Sequence, residues 1–560
     1  MNTVKREFIS GVYRQSNENY NQDVAIIKEK LHYEDGTIKP NLRIIRNYQR
    51  PFWITKKELR VHKDKREYEM THNLVQYKST QAELANNIFN VLNGFKPNKQ
   101  IRLHDVSDSP YVYGASISPI TFIHHTYKTK YPNLFTPATL AVMDYEWDVV
   151  KGTDAIISGA LSHKEHLYLA IVKSHFNNNL NGKEALIQEC INKHLTKFTE
   201  PRHIIPVITF HDTAGGVVKQ LMKRVHELMP DYLGFWNVEG DIDHMLAALK
   251  EDNIPPEYIF SDPSVPDEFK FVSWIKDAEY KTTATGKRTP KNMVDRWHKF
   301  KTAASYQVIC MMATYRTIRA SKQLRTSYKL NDVLHDELGL GKTYFEEIPY
   351  EDGSIDWHKY MQSTNNMEHR ALYIAYMAGD VIPLEIMDEK NNDIAISLRT
   401  MLGYSEFDKF KSNPAKLMDD KFFVDLNEGR IGCTVAKTMY SELDDLTYNI
   451  NGWIKTLSSD LVYNIGCNLI NNFPHRETNI SVFGFDLDVA SAYPNTEIAL
   501  RISQATCMME ACGFIGLDDY SSRAFGLNLT NVRGNGLQLA NVIYGFPEKE
   551  DLLKAFLKTI

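Results

Sequence analysis

The chain has no Cys-x-x-Cys pair among its six cysteines. That argues against zinc ribbons, dithiol redox motifs and a disulfide framework, and points to a reducing, cytoplasmic setting. It has no apolar run of the roughly 20 residues that a bilayer-spanning helix needs. The first residues, Met1-Asn2-Thr3-Val4-Lys5-Arg6-Glu7-Phe8, lack the apolar core of a signal peptide. It has no excess of positive charge: a formal net charge of −5 excludes a globally cationic nucleic-acid binder, but not an enzyme with a local basic groove. Internal repeats and low-complexity tracts are also missing, which sets aside solenoids and disordered linkers. What is present is ordinary for a globular protein: 560 residues, 43% hydrophobic and 24% charged, enough for roughly two to four domains.

Residues 1–135 read as mixed and irregular, with strand-like pieces such as Leu42-Arg43-Ile44-Ile45 and punctuation at Pro132-Asn133 and Pro137. An α/β section follows. Thr139 to Met143 is an apolar strand ending at Asp144, a turn at Lys151-Gly152-Thr153 leads to Ala155–Leu161, and His166–Val172 is a third strand. Three such strands in succession suggest an antiparallel meander. Ile204–Phe210 is a further strand, and Val217, Val218, Leu221, Val225 and Leu228 then share one face of a helix. Tyr232–Val238 reads as a strand, Asp241–Lys250 as a helix, and Ala304–Ala320 and Glu368–Glu389 as longer helices. A meander followed by alternating strands and helices fits an RNase H-like nuclease core. Ser412-Asn413-Pro414 is a turn signal and a plausible boundary. Beyond it, Trp453, Ile454, Leu457, Leu461 and Ile465 outline an amphipathic helix, Ser481–Phe485 reads as a buried strand, and Pro547 starts a last helix.

Acidic residues carry the chemistry. Asp144-Tyr145-Glu146 sits at a strand end, and side chains two apart on a strand share a face, so both carboxylates can reach one metal. Alone the triplet fits an exposed strand end as well, because Asp-x-Glu recurs by chance in an acidic chain. Gly234-Phe235-Trp236-Asn237-Val238-Glu239-Gly240-Asp241 reads as a second strand end bearing Asn237 and Asp241. Tyr376-Met377-Ala378-Gly379-Asp380 places a phenol and a carboxylate at i and i+4 on one helix face. Two magnesium ions roughly 3.5–4 Å apart, held against a phosphodiester, require such oxygen donors and no cysteine or histidine.

In this order Asp144, Glu146, Asp241 and Asp380 resemble the three exonuclease motifs of the DEDD superfamily, and Tyr376 matches the subgroup found in family B DNA polymerases. Ser327-Tyr328-Lys329-Leu330-Asn331 and Glu337-Leu338-Gly339-Leu340-Gly341-Lys342 are similar to the segment before the third motif in T-even phage polymerases. The resemblance implies that the four carboxylates bind two Mg2+ ions, with Mn2+ able to substitute. It also implies that Tyr376 orients the attacking water and that Asn237 acts on the outer shell or the DNA backbone. T-even relatives place the second-motif aspartate five residues after the asparagine; here Asp241 comes four after Asn237, and Asp243 remains a rival ligand.

Asp488-Val489-Ala490-Ser491-Ala492-Tyr493-Pro494-Asn495 resembles motif A of the same polymerases, Asp-x-x-Ser-Leu-Tyr-Pro-Ser. There Asp488 would bind both polymerase metals, and Tyr493 would be the steric gate under the incoming sugar. The fingers signature Lys-x-x-x-Asn-Ser-x-Tyr-Gly and the Asp-Thr-Asp hairpin are absent from the chain. The expected fold class is therefore mixed α/β: a family B N-terminal domain over 1–135, an RNase H-like 3′–5′ exonuclease domain over 136–390, and a linker with a partial palm over 391–560. The expected function is the N-terminal part of a viral (bacteriophage) replicative DNA polymerase, giving proofreading and half of a nucleotidyl-transfer site. Expected partners are primer–template DNA and single-stranded 3′ ends, dNTP in the assembled enzyme, a second polymerase chain with fingers, remaining palm and thumb, and a sliding clamp. No membrane is expected, and the setting is the cytoplasm of the host if the chain is viral. A stand-alone DEDD exonuclease is the alternative, and a non-catalytic DNA-binding scaffold a third.

Other features read as structural. Gly339-Leu340-Gly341-Lys342-Thr343 looks like a phosphate loop, but Asp336 stands where the leading glycine belongs, so it reads as a helix C-terminal turn. Gly240-Asp241-Ile242-Asp243 mimics polymerase motif C but precedes motif A. His124-His125 and His211-Asp212 have no metal-ligand spacing. The run Lys281, Lys287, Arg288, Lys291, Arg296, Lys299, Lys301 reads as a solvated face.

Overall fold

The computed structural model describes residues 3–434 except 63–64, 108, 283–287, 321–324, 343–355 and 412. The segment carrying Asp488 and Tyr493, with the helices and strand expected after residue 450, lies outside the described residues.

Strands β1 (Thr3–Gln15), β2 (Asp23–Tyr33) and β3 (Ile38–Arg46) form an antiparallel sheet. The alternation of β2 makes it two-sided. Val24 and Ile26 pack on Val265, Phe269 and Ala303, whereas Ala25 and Ile27 pack on Ile120, Ile123 and Tyr127. Past this apolar stretch β2 turns cationic yet stays buried. Lys28 Nζ donates to the Met229 carbonyl at 2.6 Å, and Lys30 Nζ donates to the Pro137 carbonyl at 2.8 Å and pairs with Asp231 at 2.9 Å. These bonds fasten the N-terminal sheet to the residues leading into the strands that begin at Leu140 and Tyr232. A second three-stranded sheet is centred on the strand Arg50–Thr55. Phe422, Phe423 and Ile431 pack into its core beside Trp53, Tyr113 and Phe122, so residues after 412 return to the N-terminal region.

Apolar runs with β-branched residues build the largest sheet. Its strands are β4 (Leu140–Trp147), β5 (Ile156–His163), β6 (His166–Val172), β7 (Ile205–His211), β8 (Tyr232–Phe235) and β9 (Gln307–Cys310), in the order β7-β6-β5-β4-β8-β9. β4, β5 and β6 are the expected antiparallel meander, while β7, β8 and β9 join parallel to their neighbours. The fold is mixed α/β, with helices on both faces of this sheet. Helix α1 (Ala214–Leu228) packs on β5 and β6; α2 (Val238–Glu251) follows β8; α3 (Leu330–Leu338) and α4 (Trp357–Ser363) lead to α5 (Met367–Asn391), which packs on β4 and β5. No helix among the described residues is long and apolar enough to cross a membrane.

Two sequence expectations need correction. The strand expected over Tyr232–Val238 ends at Phe235, and Val238 already begins α2. The helix expected over Ala304–Ala320 is divided: Gln307–Cys310 is β9, and only Met311–Ile318 is helical. The open edge of β8 accepts the backbone of Val308-Ile309-Cys310, and that pairing overrides a local pattern compatible with helix.

Gly159 sets the face of β4. It lies directly across from Tyr145, and a Cβ on it would stand 2.6 Å from the Tyr145 ring and 2.7 Å from Leu221 of α1. Tyr145 therefore faces α1, and the residues on either side of it, Asp144 and Glu146, face α5. Gly159→Ala is expected to lower stability by about 1–3 kcal/mol through overpacking, as read by thermal melting against the wild type.

Candidate active site

Three elements deliver the site. β4 supplies Asp144 and Glu146, the first turn of α2 supplies Asp241, and α5 supplies Tyr376 and Asp380 one turn apart. Carboxylate oxygens of Asp144, Glu146 and Asp380 lie within 4.8 Å of one another. Asp241 is buried and adds its charge to Asp144. Asp241 Oδ1 and Asp380 Oδ1 are both buried and without a hydrogen-bond partner, a costly state for a carboxylate unless a cation meets it. The donor set is all oxygen, which suits a hard divalent cation such as Mg2+ or Mn2+. Asp144, Glu146 and Asp380 can hold one ion, and Asp241 with Asp144 can border a second.

The choice between Asp241 and Asp243 follows from their neighbours. Asp243 accepts a hydrogen bond from Trp274 Nε1 at 3.0 Å and pairs with Lys276, so it is turned away from the cluster. Both lie on α2 rather than in a hairpin, which does not fit motif C. Asp241 belongs to a helix, not to the strand end expected. Asn237 occupies the position before the first helical residue, and its side chain makes no capping bond there.

Burial dominates the electrostatics, and like charge adds to it. Asp144 is raised well above the usual carboxylate range by burial and by the charges of Asp241, Asp380 and Glu146. Burial lifts Glu146 to about 7, against the hydrogen bond from Tyr373. Burial lifts Asp241 to about 8, with partial relief from the Tyr145 backbone amide. Asp380 is also raised by burial, and Lys342 opposes the rise.

The sequence reading did not assign Lys342 to this site. Its Nζ donates to Asp380 Oδ2 at 2.7 Å and to the Tyr376 hydroxyl at 2.8 Å. Gly339, at φ +70°, terminates α3 in the left-handed conformation, so the Gly-x-Gly-Lys stretch is the helix C-terminal turn expected, and that turn carries Lys342 into the cluster. Burial opposes the ammonium, but Asp380 and Tyr376 hold its pKa above the ordinary value. Tyr373 and His358 complete the wall around Glu146: the Tyr373 hydroxyl donates to Glu146 Oε2 at 2.6 Å, and His358 Nδ1 lies 3.8 Å from the same oxygen. Trp357 stands against Tyr376 with ring centroids 4.8 Å apart.

The remaining candidates are structural. His124 stacks on Phe8 at 4.2 Å, and burial pushes its pKa down to about 3. In the basic run, Lys291 pairs with Asp277, Arg296 with Glu239 and Lys301 with Asp408. Asp488 and Tyr493 lie outside the described residues. No protein-family model matches the chain, and no curated protein matches it.

The raised carboxylates fix a pH dependence. A folded-state pKa above the unfolded value contributes stability that is present below the unfolded pKa and lost as pH rises through the folded pKa. For Glu146 and Asp241 the loss extends to about pH 7 and about pH 8. In chelator, Asp241→Asn is therefore expected to melt a few degrees above the wild type at pH 8.5, with the gap closing toward pH 5. A gap independent of pH would contradict this. Added Mg2+ is expected to stabilise the wild type more than the variant.

Proposed function

We propose that the chain carries a 3′–5′ exonuclease acting on DNA 3′ ends. The reading places it in an RNase H-like domain spanning 136–390, as the N-terminal part of a viral replicative family B DNA polymerase. The observation that carries the proposal is the convergence of Asp144 and Glu146, Asp241, and Tyr376 with Asp380 from three separate elements into one acidic cluster. Their order along the chain is that of the DEDD motifs.

Bound divalent cations would supply Lewis-acid stabilisation and a more acidic water. The chain's own groups do the rest. Asp144, Glu146, Asp241 and Asp380 hold the negative field that draws the cations in. Tyr376 is raised above the ordinary phenol value by burial and by Asp380, so it stays protonated and cannot serve as a general base. Lys342 donates to its oxygen and the hydroxyl stands against Asp380, a position from which it would orient a nucleophilic water or a phosphate oxygen. Lys342 also offers positive charge to a phosphate, and the uncapped amide of Asn237 is available to the DNA backbone.

Asp488 and Tyr493 extend the reading to nucleotidyl transfer, as a metal ligand and a steric gate. The sequence has no Asp-Thr-Asp, so the second carboxylate, the fingers and the thumb would come from residues outside this sequence. A sliding clamp belongs to the same reading. A stand-alone exonuclease is the runner-up, and it shares the same cluster.

With Mg2+ and a 3′-labelled single-stranded DNA, the full chain is expected to release nucleotides from the 3′ end, and chelation to stop it. Asp144→Ala and Asp380→Ala are each expected to cut the rate by more than about 100-fold, beyond the usual loss from an outer partner. A wild-type rate no greater than the variants' would overturn the nuclease reading. On a primed template with dNTPs the chain alone is expected to shorten the primer and never to extend it; extension would show that the sequence holds a complete polymerase site.

A further inference from the structure

The orientation of the Glu146 carboxylate can be followed back to the main chain. Gln362 of α4 is buried, and its amide meets the loop that leaves β4: Oε1 accepts from the Val149 backbone N–H at 3.1 Å, and Nε2 donates to the Trp147 carbonyl at 2.9 Å. A backbone donor and a backbone acceptor therefore fix which end of the amide carries nitrogen. The same Nε2 lies 3.0 Å from the Tyr373 hydroxyl and can only donate to it. A phenol has one proton, and with Nε2 filling a lone pair that proton must leave in another direction. Two acceptors are in reach, Glu146 Oε2 at 2.6 Å and His358 Nδ1 at 3.1 Å. The carboxylate oxygen is the nearer by 0.5 Å, so it takes the proton, and His358 is left to donate to the phenol oxygen from Nδ1.

We propose that Gln362 and Tyr373 are positioning residues for the exonuclease reaction: the backbone of Trp147 and Val149 polarises the Gln362 amide, the amide aims the Tyr373 hydroxyl, and the hydroxyl pins Glu146 Oε2 so that Oε1 faces the cation. The proposal rests on the nuclease reading above. Hydrogen bonds of this kind orient ligating carboxylates, and their loss typically lowers metal affinity or activity about 10–100-fold. The relay joins β4, α4 and α5, so the cation-binding geometry depends on a residue that touches neither cation nor substrate.

The test is Mn2+ binding to the full chain, measured by electron paramagnetic resonance and titration calorimetry, with wild type, Tyr373→Phe, Gln362→Met and Gln362→Glu. Tyr373→Phe removes the hydroxyl and is expected to weaken Mn2+ binding about 10-fold or more. Gln362→Glu separates charge from direction. A negative side chain added near the site would strengthen cation binding if charge alone mattered. The relay requires the reverse, because a carboxylate at 362 accepts the Tyr373 proton and takes it from Glu146. Gln362→Glu is thus expected to bind Mn2+ more weakly than Gln362→Met, and to lower kcat more than it raises KM for the DNA. Equal Mn2+ affinity across the variants, or tighter binding by Gln362→Glu, would overturn the relay while leaving the nuclease reading intact. A wild type that binds no Mn2+ would overturn both.

Discussion

Four carboxylates held in one place without a cation repel one another, and the surroundings of the cluster can be understood as the means of tolerating that repulsion. Asp144 and Glu146 come from adjacent positions on one face of β4, so neither can retreat without breaking the register with β5. Asp380 sits in the middle of a 25-residue helix buried along most of its length. Asp241 is fixed in the first turn of α2, where the exposed backbone amides of a helix start favour negative charge. Each carboxylate is thus placed by an element with its own reasons for being where it is. The repulsion is met in three ways: protons retained to higher pH than usual, the ammonium of Lys342, and the hydroxyl of Tyr373. A rigid scaffold with an unfavourable charge cluster is the arrangement expected of a cation site, since pre-placed ligands need no reorganisation when the ion arrives.

What the sequence disclosed and what it hid divide along one physical line. Features set by local periodicity were legible. The alternation of β4 puts Asp144 and Glu146 on one face, the i,i+4 spacing on α5 puts Tyr376 over Asp380, and the meander of β4, β5 and β6 follows from three short apolar runs. Features set by distant partners were not. Asp241 and Asp243 are indistinguishable by position alone; Trp274 and Lys276, about thirty residues on, claim Asp243 and leave Asp241 to the cluster. Val308-Ile309-Cys310 becomes a strand because β8 presents an unpaired edge. Lys342 stood inside a Gly-x-Gly-Lys pattern that fails as a phosphate loop, and setting that reading aside also set aside the lysine. Its role depends on α3 ending where it does, a tertiary fact that no motif records.

The hydroxyl groups of α5 show how one helix can serve two duties. Tyr373, Tyr376 and Asp380 lie at i, i+3 and i+7 on one face. Tyr373 gives its proton to Glu146, and Tyr376 receives one from Lys342 and keeps its own. Two phenols a turn apart, chemically identical in isolation, thereby acquire different partners: one donates to Glu146, and the other accepts from Lys342 beside Asp380. Burial lifts both above the usual phenol range, so neither phenol titrates near neutrality.

The contrast within α5 sets the acidic cluster apart from the ion pairing farther along the same helix. Strongly shifted acids also occur in networks that only hold a fold together. Glu385 and Asp388 lie on the same helix and are equally buried. Glu385 is met by the Ser162 hydroxyl, the Lys164 backbone amide and Arg202, and Asp388 caps the amides of Ile394 and Ala395. Both oxygens of each have partners. Asp380, within two turns of them, has one oxygen on Lys342 and the other on nothing. Asp241, across the cluster, repeats the pattern with its own orphaned oxygen. The same helix satisfies its acids at two positions and leaves one oxygen unsatisfied at a third, where three other carboxylates converge.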